Sequence, residues 1–358
     1  MKRFGRKGLI LVLIGGVAAL AVSAAAVAST KKKSANIQVC VLLPDTKSSV
    51  RWTQFDPKYI GAALKKAGVT YSMNNALNDP SKQTAQAQAC QAAGATGVIE
   101  VALDNGSASA IEKLFTSKGG WAIDYDRQTT GGTAADYVAF DGVGVGAAQA
   151  NGILAGMKAN HTYKKSSTVA ELWGGQTDQN AFWFKSGNDK VLNPLFKKHV
   201  LKKGPQQFVP DWDANNAATI FDQMLVKTNN KIQGVIAAND NIAGAVVADE
   251  KAHHLKPIPL SGQDATAQGI QYIIAGWQTG TVYKYVPLEA NAVAAAAVAL
   301  LHGKKPKTNS FRLNQGKKEP TLVLPVQWIT KKNYKELFQQ HWLSKSEVCI
   351  GQYKKFCK

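Results

Sequence analysis

The sequence is poor in the side chains that carry covalent and metal chemistry. Its six histidines, His161, His199, His253, His254, His302 and His341, include no pair at a zinc-ligand spacing such as His-Glu-x-x-His. There is no Gly-x-Ser-x-Gly elbow, no phosphate loop ending in Gly-Lys-Ser/Thr, and no cysteine set against a histidine by a protease-type signature. Covalent catalysis therefore has no support, and the chain reads as a non-enzyme with neither cofactor nor metal. Acidic residues are also scarce, 24 Asp and Glu against 43 Lys and Arg, for a net charge of +19. From His302 to Lys358 thirteen basic residues face only Glu319, Glu336 and Glu347. Such a stretch is attracted to polyanions. It carries no Cys/His finger spacing and no base-reading basic helix, and the N-terminus shows no helix-turn-helix, so nucleic acid is not the expected partner. An anionic cell envelope, or solubility alone, accounts for the excess.

The N-terminus is built for export. Lys2, Arg3, Arg6 and Lys7 precede the uncharged stretch Leu9 to Val22, and Ser23-Ala-Ala-Ala-Val-Ala28 supplies small residues for a signal peptidase. The alternative is an uncleaved anchor, because the uncharged run from Gly8 to Thr30 is long enough to span a bilayer. No cysteine follows the small residues, so lipid anchoring is not expected. Four cysteines in an exported chain suggest two disulfides out of three possible pairings. The spacing favours Cys349 with Cys357, leaving Cys40 with Cys90; the bland alternative is buried free thiols.

Roughly 330 residues remain after the leader, more than one core usually serves, so two domains are expected. The pattern alternates strand and helix. Ile37 to Leu43 reads as a strand, Asp56 to Ala67 as a helix ended by Gly68, Val69 to Met73 as a strand, Pro80 to Ala93 as a helix, Gly97 to Ala102 as a strand, Ser107 to Lys118 as a helix. A second series starts after Tyr137–Asp141, with helices at Gly146–Ala159, Asn180–Lys197, Asn215–Thr228 and Ile242–Ala252, and strands at Thr168–Trp173, Gln207–Pro210, Gly234–Ala238 and Ile258–Ser261. This predicts α/β architecture twice over, two similar Rossmann-like halves with parallel sheets and right-handed crossovers. The alanine-rich, charge-poor helix from Pro287 to His302 is expected to be covered on both faces. No repeat of 20 to 50 residues and no low-complexity linker divides the halves.

Gly142-Val-Gly144-Val-Gly146-Ala147 matches a loose dinucleotide fingerprint. It lies in the wrong place for one, since such a site opens its domain's first strand, and glycines for close helix packing explain it better. The polar groups at strand ends are more informative. Val235 to Ala238 runs into Asn239-Asp-Asn, and Ile258 to Ser261 into Gly262-Gln-Asp264. In open α/β sheets ligands bind beyond the carboxyl ends of strands.

Seven segments then fall in order: Val50-Arg51-Trp52, Tyr125-Asp126-Arg127, Asp178-Gln-Asn180-Ala, Asp211-Trp212, Ala238-Asn239-Asp240, Ser261-Gly-Gln-Asp264 and Val282-Tyr-Lys284. As an ordered set over about residues 37 to 330 they resemble the D-xylose-binding proteins of sugar ABC importers. The resemblance implies the periplasmic binding protein type I fold: two domains joined by three crossings, closing over one monosaccharide and presenting the closed form to a membrane permease. It implies a monomer in the periplasm or on the outer face of the cytoplasmic membrane. Residues 36–142 with 285–312 would form the first subdomain, 143–284 with 313–340 the second, 1–28 the export segment, and 341–358 a basic tail with its cysteine pair. Carried over position by position, Arg51, Asp126, Arg127, Asp178, Asn180, Asn239, Asp264 and Lys284 would bind sugar hydroxyls, with Trp52 and Trp212 against the ring faces. Two departures stand out. The family's acid before Arg-Trp is Val50 here, and the polar residue after Phe-Asp is Gly142. Loss of that acid is expected to relax Arg51 and admit a neighbouring aldose, so xylose is the first candidate, with glucose, ribose or arabinose next. A sensor feeding a kinase would use the same cleft. Paired carboxylates could in principle make a glycosidase, and the Gly142 segment an oxidoreductase; both are weaker readings.

Overall fold

The structure, a computed structural model, describes residues 36–357. The expected export segment, 1–28, lies outside the described residues, as does Lys358.

The first lobe opens with β1 (Val39–Leu43), a π-helical turn (Arg51–Phe55), α1 (Asp56–Lys66), β2 (Tyr71–Asn75), α2 (Pro80–Ala92), β3 (Gly97–Glu100), α3 (Asn105–Thr116), β4 (Trp121–Tyr125) and β5 (Asp136–Phe140). The chain crosses to the second lobe for α4 (Gly142–Ala159), β6 (Thr168–Trp173), α5 (Gln179–Lys197), β7 (Lys202–Phe208), a 3₁₀ turn (Pro210–Trp212), α6 (Ala214–Thr228), β8 (Gly234–Ala237), α7 (Asp240–Ala252), α8 (Ala267–Ala275) and β9 (Thr281–Tyr283). It returns for α9 (Val286–Leu301), β10 (Ser310–Asn314) and β11 (Lys317–Leu324), then crosses a third time into β12 (Gln327–Ile329), α10 (Glu336–Gln339), α11 (Lys345–Val348) and a 3₁₀ turn (Gly351–Phe356).

The first lobe is a seven-stranded sheet in the order β10-β11-β5-β4-β3-β1-β2, parallel except for the β10–β11 hairpin. The alternation of β1 explains its two cores. Val39, Val41 and Leu43 pack with Ile60, Leu64 and Val293 under α1 and α9, while Cys40 and Leu42 pack with Cys90, Ile111 and Phe115 under α2 and α3. The disulfide Cys40–Cys90 lies inside the second of these. In the second lobe β6 lies between β7 and β8, and single bridges at Val235–Leu260 and Gln263–Val282 lead on to the antiparallel pair β9–β12. The expected strand Ile258–Ser261 is thus reduced to a bridge, because Pro259 has no N–H to give a ladder.

Three expectations need correction. Residues 313–324 belong with the first lobe, since β11 runs parallel to β5; the third crossing falls near Pro325, not at 312/313. What hid this is a tight hairpin in polar sequence. Gln315 and Gly316, both at positive φ, form the two-residue turn that matches the twist of its strands. Helix α9 is not covered all round: Leu288, Asn291 and Ala295 form an exposed edge opposite the buried Ala290, Val293 and Ala297. Finally, the basic tail expected at 341–358 keeps its expected cysteine pair but is packed into the fold over 341–357. Trp342, Leu343 and Val348 are buried, and Cys349 is bonded to Cys357. As for the glycine-rich segment, Gly142 to Gly146 begin α4 rather than a loop. Gly146 backs onto the Phe184 carbonyl of α5 and Gly187 onto that of Val143, so these glycines let two helices touch.

Candidate ligand-binding cleft

The strands of both lobes end toward a common cleft, and the loops after them carry the functional side chains. Arg51 and Trp52 sit in the π-helical turn after β1, and Asp126 and Arg127 follow β4. Asp178 and Asn239 cap α5 and α7, accepting from Asn180 N at 2.9 Å and Ile242 N at 2.9 Å. A capping residue holds a helix N-terminus and a loop end at once, so these two are fixed before any ligand arrives. Lys284 lies on the second crossing.

All ten expected residues line one pocket: Arg51, Trp52, Asp126, Arg127, Asp178, Asn180, Trp212, Asn239, Asp264 and Lys284. Four more that sequence reasoning did not single out join them: Ser48, Ser49, Phe184 and Gln263. Gln263 stood inside a quoted motif, and the serines directly precede Val50-Arg51; Phe184, on the second turn of α5, gave no signal distinguishing it from core.

Electrostatics organise the pocket around Arg51, which is 1% exposed. Its guanidinium donates to both oxygens of Asp56, from Nε at 3.0 Å and Nη2 at 2.6 Å, to Glu289 Oε2 at 2.7 Å and to Asp126 Oδ2 at 2.5 Å. Tyr125 Oη donates to Asp56 Oδ1 at 2.8 Å. The expectation that Val50 leaves Arg51 loose is therefore overturned: a carboxylate five residues later and another from α9 take the anchoring role. Burial pushes the Glu289 carboxyl well above its ordinary range, against the opposing pull of Arg51. Asp126 goes the other way. Burial would raise it, but Arg51, Lys284 and Arg127 outweigh burial and hold it well below the usual carboxylate range. Lys284 Nζ lies 3.2 Å from Asp126 Oδ2 and 3.6 Å from Asp264 Oδ1.

Contacts from lobe to lobe show the cleft closed. Ser49 Oγ donates to Asp264 Oδ2 at 2.7 Å, Asn239 Nδ2 to Ser48 O at 2.9 Å, and Asn180 Nδ2 to Asp126 O at 2.8 Å. Arg127 spans the gap, with Nη2 donating to Ser48 Oγ at 3.1 Å and Nε 3.0 Å from Asp178 Oδ2, though the Nε–H is not aimed at that carboxylate. The guanidiniums of Arg51 and Arg127 approach the Trp52 ring at 4.8 and 5.4 Å from its centroid. Trp212, at φ 57°, packs beside Phe184 with ring centroids 6.1 Å apart. The remaining cavity is about 20 Å³, room for roughly one water. Four buried groups of its lining have no hydrogen-bond partner: Arg127 Nε and Trp212 Nε1 as donors, Asp264 Oδ1 and Gln263 Oε1 as acceptors.

Such an arrangement can hold a small neutral polyol. It offers donors and acceptors in mixed array, two indole rings, and charges that already balance one another. The described residues contain no group of His, Cys, Asp and Glu arranged to hold a metal ion, and no helix long and apolar enough to cross a membrane.

Comparison with known proteins agrees with the geometry. Residues 39–305 match the periplasmic binding protein domain. The chain is 34% identical over 230 residues to the D-xylose-binding periplasmic protein of Escherichia coli, covering 64% of this chain and 67% of that one. It is 28% identical over 309 residues to the multiple sugar-binding periplasmic receptor ChvE of Rhizobium radiobacter, covering 82% of this chain and 86% of that protein. Among solved structures, a carbohydrate transporter solute-binding protein of Chloroflexus aurantiacus in complex with D-glucose superposes with a TM-score of 0.79 at 26% identity, over 87% of this chain and 98% of the other. With its type I fold and a match over most of its length, the chain belongs to the periplasmic binding protein domain family.

Proposed function

We propose that this chain is the extracytoplasmic solute-binding protein of an ABC importer, that it binds one monosaccharide by closure of its two lobes, and that D-xylose is the first candidate ligand. The observation that carries this is the set of unpartnered donors and acceptors in a cleft lined from both lobes. Buried polar groups are normally satisfied, and a sugar's hydroxyls are both donors and acceptors. The relatives support a sugar, named as xylose in one and as several sugars in another, and the glucose complex of a structural neighbour supports an aldohexose as the nearest competitor.

Ligand entry requires the lobes to part, because lobe-to-lobe hydrogen bonds close the cleft and the remaining cavity, about 20 Å³, has room for roughly one water. Asp126, held ionised, and Asp264 accept from hydroxyls, while Arg127, Asn180, Asn239 and Lys284 donate. Charge-assisted bonds of this kind are the stronger sort. The protein does no chemistry on the sugar; the closed form docks a permease as a monomer. Titration with xylose, glucose, ribose, arabinose and galactose, followed by tryptophan fluorescence and calorimetry, tests the reading. A micromolar or tighter response to xylose supports it as stated, a response only to another aldose moves the ligand, and silence to all five sinks it.

A further inference from the structure

The C-terminal segment has a place in the fold that the cleft alone does not explain. After β12 it folds as a cap with its own disulfide, and it rests on the second lobe through α8. Gln271 Nε2 donates to Glu347 O at 3.1 Å and Val348 O at 3.3 Å, and Ile270, Ile273 and Ile274 share an apolar cluster with Trp342, Leu343 and Val348. Toward the first lobe, Phe55 stacks on Trp342 with centroids 3.9 Å apart and planes 17° apart, and Val50 and Tyr59 pack against the same cluster. The same indole donates from Nε1 to Ala265 O at 2.9 Å and meets Tyr283 at 5.3 Å between centroids.

Two of the indole's partners are chain-adjacent to a pocket residue, and the third shares a turn with two such residues. Phe55 ends the π-helical turn that carries Arg51 and Trp52, Ala265 follows Asp264, and Tyr283 precedes Lys284. The second of these turns is strained. Asp264 at φ 95° and Ala265 at φ 49° are consecutive non-glycine residues in left-handed backbone, which persists only where the surroundings over-determine it. The restraints present are Asp264 N to Val282 O at 2.8 Å, Ala265 N to Thr281 Oγ1 at 3.2 Å, and the Trp342 indole on Ala265 O.

We propose that Trp342 is a positioning residue for the cleft: from behind, one side chain holds the Arg51–Trp52 turn of the first lobe and the Asp264 turn of the second in the closed arrangement. The proposal rests on the sugar-binding reading above. Its consequence is kinetic. A latch made in the closed state slows ligand release and leaves encounter with the open cleft unchanged.

The test uses the whole exported chain with Trp342→Phe, which keeps an aromatic stack and removes the N–H, with Phe55→Leu, which removes the stack, and with both together. Association and dissociation rates for xylose and glucose are read by stopped flow, with melting temperature measured without sugar. The expected result is dissociation about tenfold faster in each single variant, as for loss of one buried contact, with association within about twofold. The double variant should lose less than the product of the two, since both act through one ring. Wild-type rates in both single variants, or a lowered melting temperature with rates unchanged, would show core packing only and overturn the proposal. Independent, multiplying losses would overturn the shared-latch form of it. Wild-type protein silent to every monosaccharide would instead remove the binding reading, and this inference with it.

Discussion

Two sets of buried carboxyl groups lie in the first lobe, and they are neutralised by different means. In the cleft, Asp56, Asp126 and Glu289 surround Arg51, and Asp126 also meets Lys284. Behind the same loop, Glu100, Glu112, Asp124, Asp136 and Glu319 are buried with no Lys or Arg in ion-pair contact among the described residues. Hydrogen bonds stand in for cations there. Thr129 donates to Asp124 from N at 2.7 Å and Oγ1 at 2.6 Å, Gln128 to Glu319 at 2.6 Å, and Thr133 N to Glu112. Both oxygens of Glu100 have no partner. Burial raises all five, with repulsion from neighbouring carboxylates adding to it in all but Glu319, and Asp136 reaches about 7. In the cleft, Arg51, Lys284 and Arg127 hold Asp126 below the usual carboxylate range; in the other set, with no cation at hand, burial pushes every carboxyl toward its protonated form.

The largest effect that would break this comparison is removal of the cleft's central charge. Asp126→Ala leaves Arg51 and Lys284 facing each other without the carboxylate between them. Binding is expected to fall by about a hundredfold or more, and stability by about 3 kcal/mol, the order found when one partner of a buried pair is deleted. Calorimetry with the sugar and urea denaturation measure the two losses. Affinity within threefold of wild type would mean that Asp126 is scaffold and not site.

Next in size is the pH profile. Asp126 is lowered in the folded state, so its contribution is present above the unfolded carboxyl range, near 3.9, and lost as pH falls below it. The second set is raised, so the folded state holds protons that the unfolded state releases. Its contribution is full below about pH 4 and is lost as pH rises through about 7 and beyond. Together they place maximal stability near pH 4, with a decline that runs from there through about pH 7. Glu100→Met, which fills the site without a titrating group, is expected to raise stability at pH 8 by about 1 kcal/mol or more and to flatten the alkaline decline. Melting temperatures from pH 4 to 9 check both. A wild-type profile that climbs steadily to pH 8 would show that the second set is ionised and compensated.

How much of this was legible in the sequence differs between the two sets as well. Arg51, Asp126 and Lys284 lie in ordered tripeptides at strand ends, where residue type and position both speak. The residues that hold them do not. Asp56 looks like an ordinary first-turn acid of α1, and Glu289 is the one acid in an alanine-rich helix 238 residues away in sequence from the arginine it meets. Periodicity located the alternating strands and helices because their apolar faces are buried on both sides of a sheet. It missed the β10–β11 hairpin, where β10 has no buried residue and β11 mixes buried with exposed ones, and the cap around Trp342, whose short turns carry too few residues to show a period.

Smallest of the effects is that of Glu289→Gln, and it separates the two modes of neutralisation within one cluster. If Glu289 carries a proton, the direction in which burial pushes it, the amide reproduces its shape and its carbonyl still accepts from Arg51 Nη2. Affinity is then expected within about threefold of wild type and stability within about 1 kcal/mol. Asp56→Asn is the control, because Asp56 takes two hydrogen bonds from Arg51 and one from Tyr125, and an amide can accept through only one of its two ends. Paired calorimetric titrations at pH 7 rank the two. Were Glu289→Gln to cost as much as Asp56→Asn, Arg51 would need two full negative charges beside Asp126, and the cleft would be held by charge alone instead of by charge and a shared proton.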